Sequence, residues 1–163
     1  MLKIDGLTYK FGKKAAVDCL SFEFTNGVYG LLGPNGSGKT TLLRDLARRL
    51  SGVSGGRYYR VAIVDERGEI AASSGGCPQC DVGFSDVLTG YPKDVGILTA
   101  LRTLSPQIII CDEIGNLSET KRILEGMNSG VNFLVSVHAG KDEDLRSLSL
   151  IHISEPTRHA QIS

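Results

Sequence analysis

The sequence predicts an α/β fold, a mostly parallel sheet flanked by helices, and three observations predict it. An apolar run, Val28 to Leu32, leads into Gly33-Pro34-Asn35-Gly36-Ser37-Gly38-Lys39-Thr40, and that loop opens onto a helical pattern. A second apolar run, Ile108-Ile109-Ile110-Cys111, ends in two carboxylates, Asp112 and Glu113. Further short β-rich runs, Val61 to Asp65 and Val131 to Val137, alternate with helical stretches, as in parallel strands joined by crossover helices.

The loop fits G-x-x-x-x-G-K-[ST] without a gap. Its glycines let the backbone wrap closely and turn successive N–H groups onto phosphate oxygens. The helix that follows aims its positive N-terminal end at the same anion. Lys39 is expected to reach the β- and γ-phosphates, and the Thr40 hydroxyl to ligate Mg²⁺. Residues Gly33 through Thr41 are therefore the expected binding site for ATP with Mg²⁺. Strand geometry is expected to send Asp112 and Glu113 to opposite sides, which allows distinct roles. Asp112 would hold Mg²⁺ through water or the Thr40 hydroxyl, and Glu113 would polarise the attacking water. The expected catalysis is positioning and charge neutralisation by Lys39, Thr40, Mg²⁺ and Asp112.

The 163 residues suit one α/β domain, and eighteen basic residues balance eighteen acidic ones, so no whole-chain footprint for nucleic acid exists. No apolar run approaches a membrane span, and the N-terminus carries no signal-peptide pattern. Four cysteines without a secretory signal point to a reducing, cytoplasmic setting, possible at the membrane's cytoplasmic face. Cys77-Pro78-Gln79-Cys80 has no second pair at zinc spacing and is assigned neither a metal nor a redox role.

Residues 1–27 alternate like paired strands, Leu2, Ile4 and Leu7 in one run and Ala16 to Phe24 in another, with Phe11 to Lys14 as the turn. They are expected to add a small antiparallel edge to the sheet. Residues 1–41 resemble the start of an ABC-transporter ATP-binding domain. That resemblance implies that Phe11, just before the turn glycine, stacks on adenine; a core aromatic is the equal alternative.

After the loop, Leu42, Leu43, Leu46, Ala47 and Leu50 recur at helical spacing, ending near Gly52. Ser51 to Gly56 reads as a loop. Then come Val61 to Asp65, Glu66-Arg67-Gly68-Glu69-Ile70-Ala71, Gly76 to Gly83, Asp86-Val87-Leu88, Pro92-Lys93, a helical Val95 to Leu104, and Asp112-Glu113-Ile114-Gly115. Over residues 36–146 these motifs, in order, resemble the stage III sporulation protein AA family, which is similar to secretion-system ATPases. The resemblance implies a RecA-like P-loop ATPase that works in a membrane-associated channel assembly, as a homo-oligomer or with channel and secretion proteins. It also makes Glu66 a rival base, because secretion-type ATPases carry a glutamate at the end of the neighbouring strand. His138, at the end of the Val131 run, falls where such ATPases place a γ-phosphate-sensing residue. Leu117 to Met127 reads as a helix with Asn116 and Glu119 at capping-box spacing, and Lys141 to Leu148 as the start of a short polar helix.

The two resemblances meet inside the P-loop and first helix, where both families carry nearly the same residues, as in a chimera or a natural fusion joined there. Leu148 to Arg158 resembles the in-frame translation of a sequencing adapter. The expected organisation is thus an ATPase domain over 1–147, with ABC-like strands at 1–27 and a nucleotide-binding core at 28–147. Residues 148–163 form a non-native tail expected to pack poorly, with native chain continuing beyond Ser147. Three rival readings remain open: an ABC-transporter subunit, a nucleotide-binding module with little turnover, and a chimeric truncated product whose motifs describe its parent genes. Against the first stand the missing signature motif and Ile114-Gly115 after the carboxylates, where that family usually has proline.

Overall fold

The computed structural model describes residues 2–11, 14–25, 27–33, 35–52, 58–138 and 159–161. In chain order these form β1 (Leu2–Phe11), β2 (Lys14–Phe24), β3 (Val28–Gly33), α1 (Lys39–Ser51), β4 (Val61–Asp65), β5 (Asp86–Thr89), α2 (Lys93–Thr103), β6 (Ile108–Cys111), α3 (Leu117–Asn128), β7 (Asn132–His138) and β8 (His159–Gln161). Six strands make one sheet in the order β5-β4-β6-β7-β3-β8, and every pairing in it is parallel.

The apolar runs are continuous because the sheet is covered on both faces. Successive strand residues alternate between two cores. Val61 and Ile63 of β4, Ile108 and Ile110 of β6, and Leu134 of β7 pack with Leu42, Leu43, Leu46 and Leu50 of α1. Ala62, Val64, Ile109, Cys111, Phe133 and Val135 meet Ile97 and Ala100 of α2 and Ile123 of α3 on the opposite face. Each large aliphatic side chain so buried contributes about 1.5–3 kcal/mol relative to exposure. Helix α1 turns its periodic leucines inward and ends where expected, with Gly52 as C-cap. Helix α3 begins on the expected box: Asn116 Oδ1 accepts from Glu119 N at 2.9 Å, and Glu119 Oε2 returns to accept from Gly115 N at 2.9 Å.

The N-terminal strands differ from expectation. β1 and β2 pair antiparallel with each other, Leu2 opposite Phe24 and Phe11 opposite Lys14, but they form a separate two-stranded sheet and not an edge of the large one. β3, the strand that follows them in the chain, has no side free for them, because the parallel strands β7 and β8 hydrogen-bond both. β8 belongs to the tail expected to pack poorly, yet its three residues pair in parallel with Gly30, Leu31 and Leu32 of β3. The expected helix from Lys141, the turn residues Gly12 and Lys13, and most of the loop after Gly52 lie outside the described residues. Among the described residues no helix is long and apolar enough to cross a membrane.

Candidate nucleotide site

β3 delivers the glycine-rich loop to the carboxyl end of the sheet, where open α/β sheets bind their ligands. Gly36 and Gly38 hold φ of 79° and 93°, left-handed values that glycine adopts without a Cβ penalty. Gly38 is also the N-cap of α1 and offers no side-chain cap, so the first N–H groups of the helix stay open toward the loop. Lys39 is buried, and its Nζ donates to the Gly33 carbonyl at 2.6 Å. Ser37 Oγ is buried with no hydrogen-bond partner, the one such side-chain N or O atom among the described residues. Such an orphan costs stability unless something bonds it, and a phosphate oxygen in the loop is a fitting acceptor. Thr41 follows on α1, half-buried, while Pro34 lies outside the described residues.

Across β7 from β3, β6 ends at Cys111 and not at Glu113. Asp112 is buried, and its Oδ2 accepts from Thr40 Oγ1 at 2.9 Å, which ties the loop's helix to the end of β6. The other oxygen, Oδ1, accepts a short hydrogen bond from Ser136 Oγ of β7. Glu113 has φ of 45°. Strand alternation therefore does not set the two side chains, because β6 has ended and Glu113 sits in a left-handed turn; both carboxylates line one hollow and not opposite faces of a strand. Glu113 N donates to Ser136 Oγ at 2.9 Å, and its carboxylate accepts from Arg67 at 3.2 Å.

The end of β4 supplies the third wall. Asp65 is buried and accepts three backbone N–H groups, from Glu69 at 2.8 Å, Ile70 at 3.1 Å and Ala71 at 2.8 Å. From α1, Arg44 donates to the carbonyls of Ile70 at 2.6 Å and Glu69 at 2.9 Å. The 66–71 turn is thus pinned from both sides. It presents Glu66, Arg67 and Glu69 to a pocket that they line with Asp65, Lys93, Asp112 and Glu113. Burial, then the nearby Asp112 and Glu113 carboxylates, raise the Glu69 pKa above its ordinary value. Two cations, Arg67 and Lys93, stand among these carboxylates, and among the described residues no group of three or more His, Cys, Asp or Glu side chains is arranged to hold a metal ion by itself.

With fold and site in place, the comparison with known families is decisive: the model described as "Sporulation stage III, protein AA" matches residues 25–158. The chain belongs to that family. Stage III sporulation protein AA of Bacillus subtilis (strain 168) is 44% identical over 117 residues, 71% of this chain and 38% of that protein. The phosphonates import ATP-binding protein PhnC of Rhodopseudomonas palustris (strain BisB5) is 53% identical over 58 residues, 35% of this chain and 21% of that protein. Among solved structures, the Legionella pneumophila ATPase DotB superposes with a TM-score of 0.59 at 22% identity, over 80% of this chain and 35% of that one. The last likeness establishes the P-loop ATPase fold. The chain spans well under half the length of these relatives.

In this member of the sporulation stage III AA family, the structure brings Lys39, Thr40, Asp112, Glu113 and Glu66 to one end of the sheet. The backbone of His138 closes β7 beside Gly33, its register partner, but its side chain lies outside the described residues. So does the side chain of Phe11, the last residue of β1, and with it the adenine-stacking expectation. Sequence reasoning missed Ser136, Glu69, Arg67 and Lys93. A signal for Ser136 existed: it is the lone hydroxyl between Phe133 and Val137, on the face that β7 turns toward α1. Cys111, by contrast, is inert, because burial pushes its thiol pKa far up.

Proposed function

We propose that this chain binds Mg²⁺–ATP in the Gly33–Thr41 loop and hydrolyses it to ADP and phosphate, driving conformational work. The observation that carries the reading is the Thr40–Asp112 hydrogen bond, which joins the phosphate loop to the β6 carboxylate beside the orphaned Ser37 hydroxyl. Lys39 and the loop N–H groups bind the phosphates. Thr40 and Asp112 hold Mg²⁺, which when bound neutralises charge on the phosphate oxygens. Ser136 fixes the Asp112 carboxylate through its own hydroxyl. Glu113 takes the proton of the attacking water, with Glu66 as the alternative base across the same pocket and His138 as the phosphate sensor.

The setting is a sporulation-type or secretion-type assembly at the cytoplasmic face of a membrane, in which the chain works as a homo-oligomer or with channel proteins. Support for it comes from the family and from the DotB-like fold. An ABC-transporter subunit is the second reading, favoured by the 53% identity to PhnC over 58 residues. Phosphate release from ATP by the purified chain, with Mg²⁺ and with excess chelator, tests the proposal. Turnover that needs Mg²⁺ is expected; binding without any release would reduce the chain to a nucleotide-binding module.

A further inference from the structure

Lys93 is a buried lysine that the reaction as described does not use. Lysine is seldom buried without a partner, because desolvating its ammonium is costly. Here the ammonium donates to the Glu113 backbone carbonyl at 2.7 Å and stands 3.6 Å from Glu66 Oε2. It therefore touches both residues that compete for the role of base.

Glu113 needs such a partner. Its φ of 45° is a left-handed conformation in a non-glycine residue. Strain of that kind costs about 1–3 kcal/mol and persists only where the surroundings over-determine it. The Glu113 peptide is held at both ends, its N–H by Ser136 Oγ at 2.9 Å and its carbonyl by Lys93 Nζ at 2.7 Å. The position of α2 makes the second contact possible. Lys93 is the first residue of that helix, and Gly96 lies one turn on, against β4. A Cβ at Gly96 would stand 2.6 Å from Val64 Cγ1, so the absent side chain is what lets α2 approach closely enough for Lys93 to reach β6.

We propose that Lys93 is a positioning residue for ATP hydrolysis: it clamps the left-handed turn at Glu113 and tethers Glu66, holding both carboxylates in one arrangement beside Asp112. This rests on the ATPase reading. Lys93 acts through Glu113 and Glu66, so its removal should harm the chemical step and spare nucleotide binding. Misplacing a reacting group by an ångström costs up to about 100-fold in rate.

The test is steady-state phosphate release and Mg²⁺–ATP binding by the full chain, wild type against Lys93→Met, Lys93→Arg and Gly96→Ala. Lys93→Met should lower kcat by about 10–100-fold with KM and binding within about twofold. Lys93→Arg, which keeps the charge, should recover about tenfold of that loss. Gly96→Ala, which leaves Lys93 in place but displaces its helix, should reproduce the kcat loss and serves if Lys93→Met does not fold. Unchanged kcat in Lys93→Met, or a loss shared equally by binding and turnover, overturns the inference while leaving the ATPase reading intact. A wild-type chain that binds Mg²⁺–ATP but releases no phosphate overturns both.

Discussion

Ser136 Oγ stands between Asp112 and Glu113, donating to the carboxylate of one and accepting the backbone N–H of the other. One hydroxyl on β7 thereby fixes the direction of a carboxylate and the start of the strained turn that follows β6. Because Asp112 also accepts from Thr40, α1, β7 and the segment after β6 meet at the Asp112 carboxylate.

Ser136→Ala should be costly for its size. It leaves the buried Asp112 oxygen without a donor and the Glu113 N–H without an acceptor. The expected loss is about 1–3 kcal/mol of folding stability, read from the denaturation midpoint. Turnover should fall as well, since Asp112 loses its orientation. A variant as stable and as active as wild type would remove Ser136 from the site.

Gly126→Ala separates packing from helix propensity. Alanine favours a helix by about 1 kcal/mol over glycine. Yet a Cβ at this point of α3 would lie 2.5 and 2.6 Å from two ring carbons of Phe133. Overpacking a rigid aromatic should win, with a net loss of about 1–3 kcal/mol in chemical denaturation. Phe133→Leu in the same chain should recover part of it. A stabilised Gly126→Ala variant would mean that α3 does not lie so close to β7.

Glu69 should make stability depend on pH. Burial and the Asp112 and Glu113 carboxylates raise its folded pKa above the unfolded one. Its contribution is therefore fully present below the unfolded pKa and is lost as pH rises through the folded value. Glu69→Gln should remove that loss, so the variant gains on wild type above the ordinary carboxylate range and not below it. Added Mg²⁺ should narrow the difference by screening the same carboxylates. Thermal unfolding of both proteins from pH 3 to 8 measures it, and parallel curves across that range would contradict the assignment.

What the sequence made legible follows from periodicity and from local chemistry. The leucines of α1 declare a helix whatever surrounds them, and Asn116 with Glu119 marks the start of α3 without reference to the rest of the chain. The apolar runs of β4 and β6 reveal two-sided burial. Hidden features are those decided by tertiary contact. β5 is a four-residue strand, none of it fully buried, so Asp86 to Thr89 carries no strong pattern. The separation of β1 and β2 from the large sheet depends on which strands take the two sides of β3. The turn at Glu113 and the burial of Lys93 depend on Ser136 and Gly96, which lie on other elements. The glycine-rich loop, Asp112 and Glu113 were readable because their chemistry is local, and Glu66 through the family resemblance; Glu69 and Arg67 were not, since they look like ordinary turn charges until Asp65 and Arg44 pin the turn.

In the proposed function, the loop from Gly33 to Thr41 holds Mg²⁺–ATP through Lys39. Equilibrium binding of Mg²⁺–ATP to the full chain and to Lys39→Ala, both first checked for folding, tests it most directly. Wild type should bind saturably, and Lys39→Ala should show no measurable binding. Equal affinity in the two proteins would place the nucleotide elsewhere and contradict it.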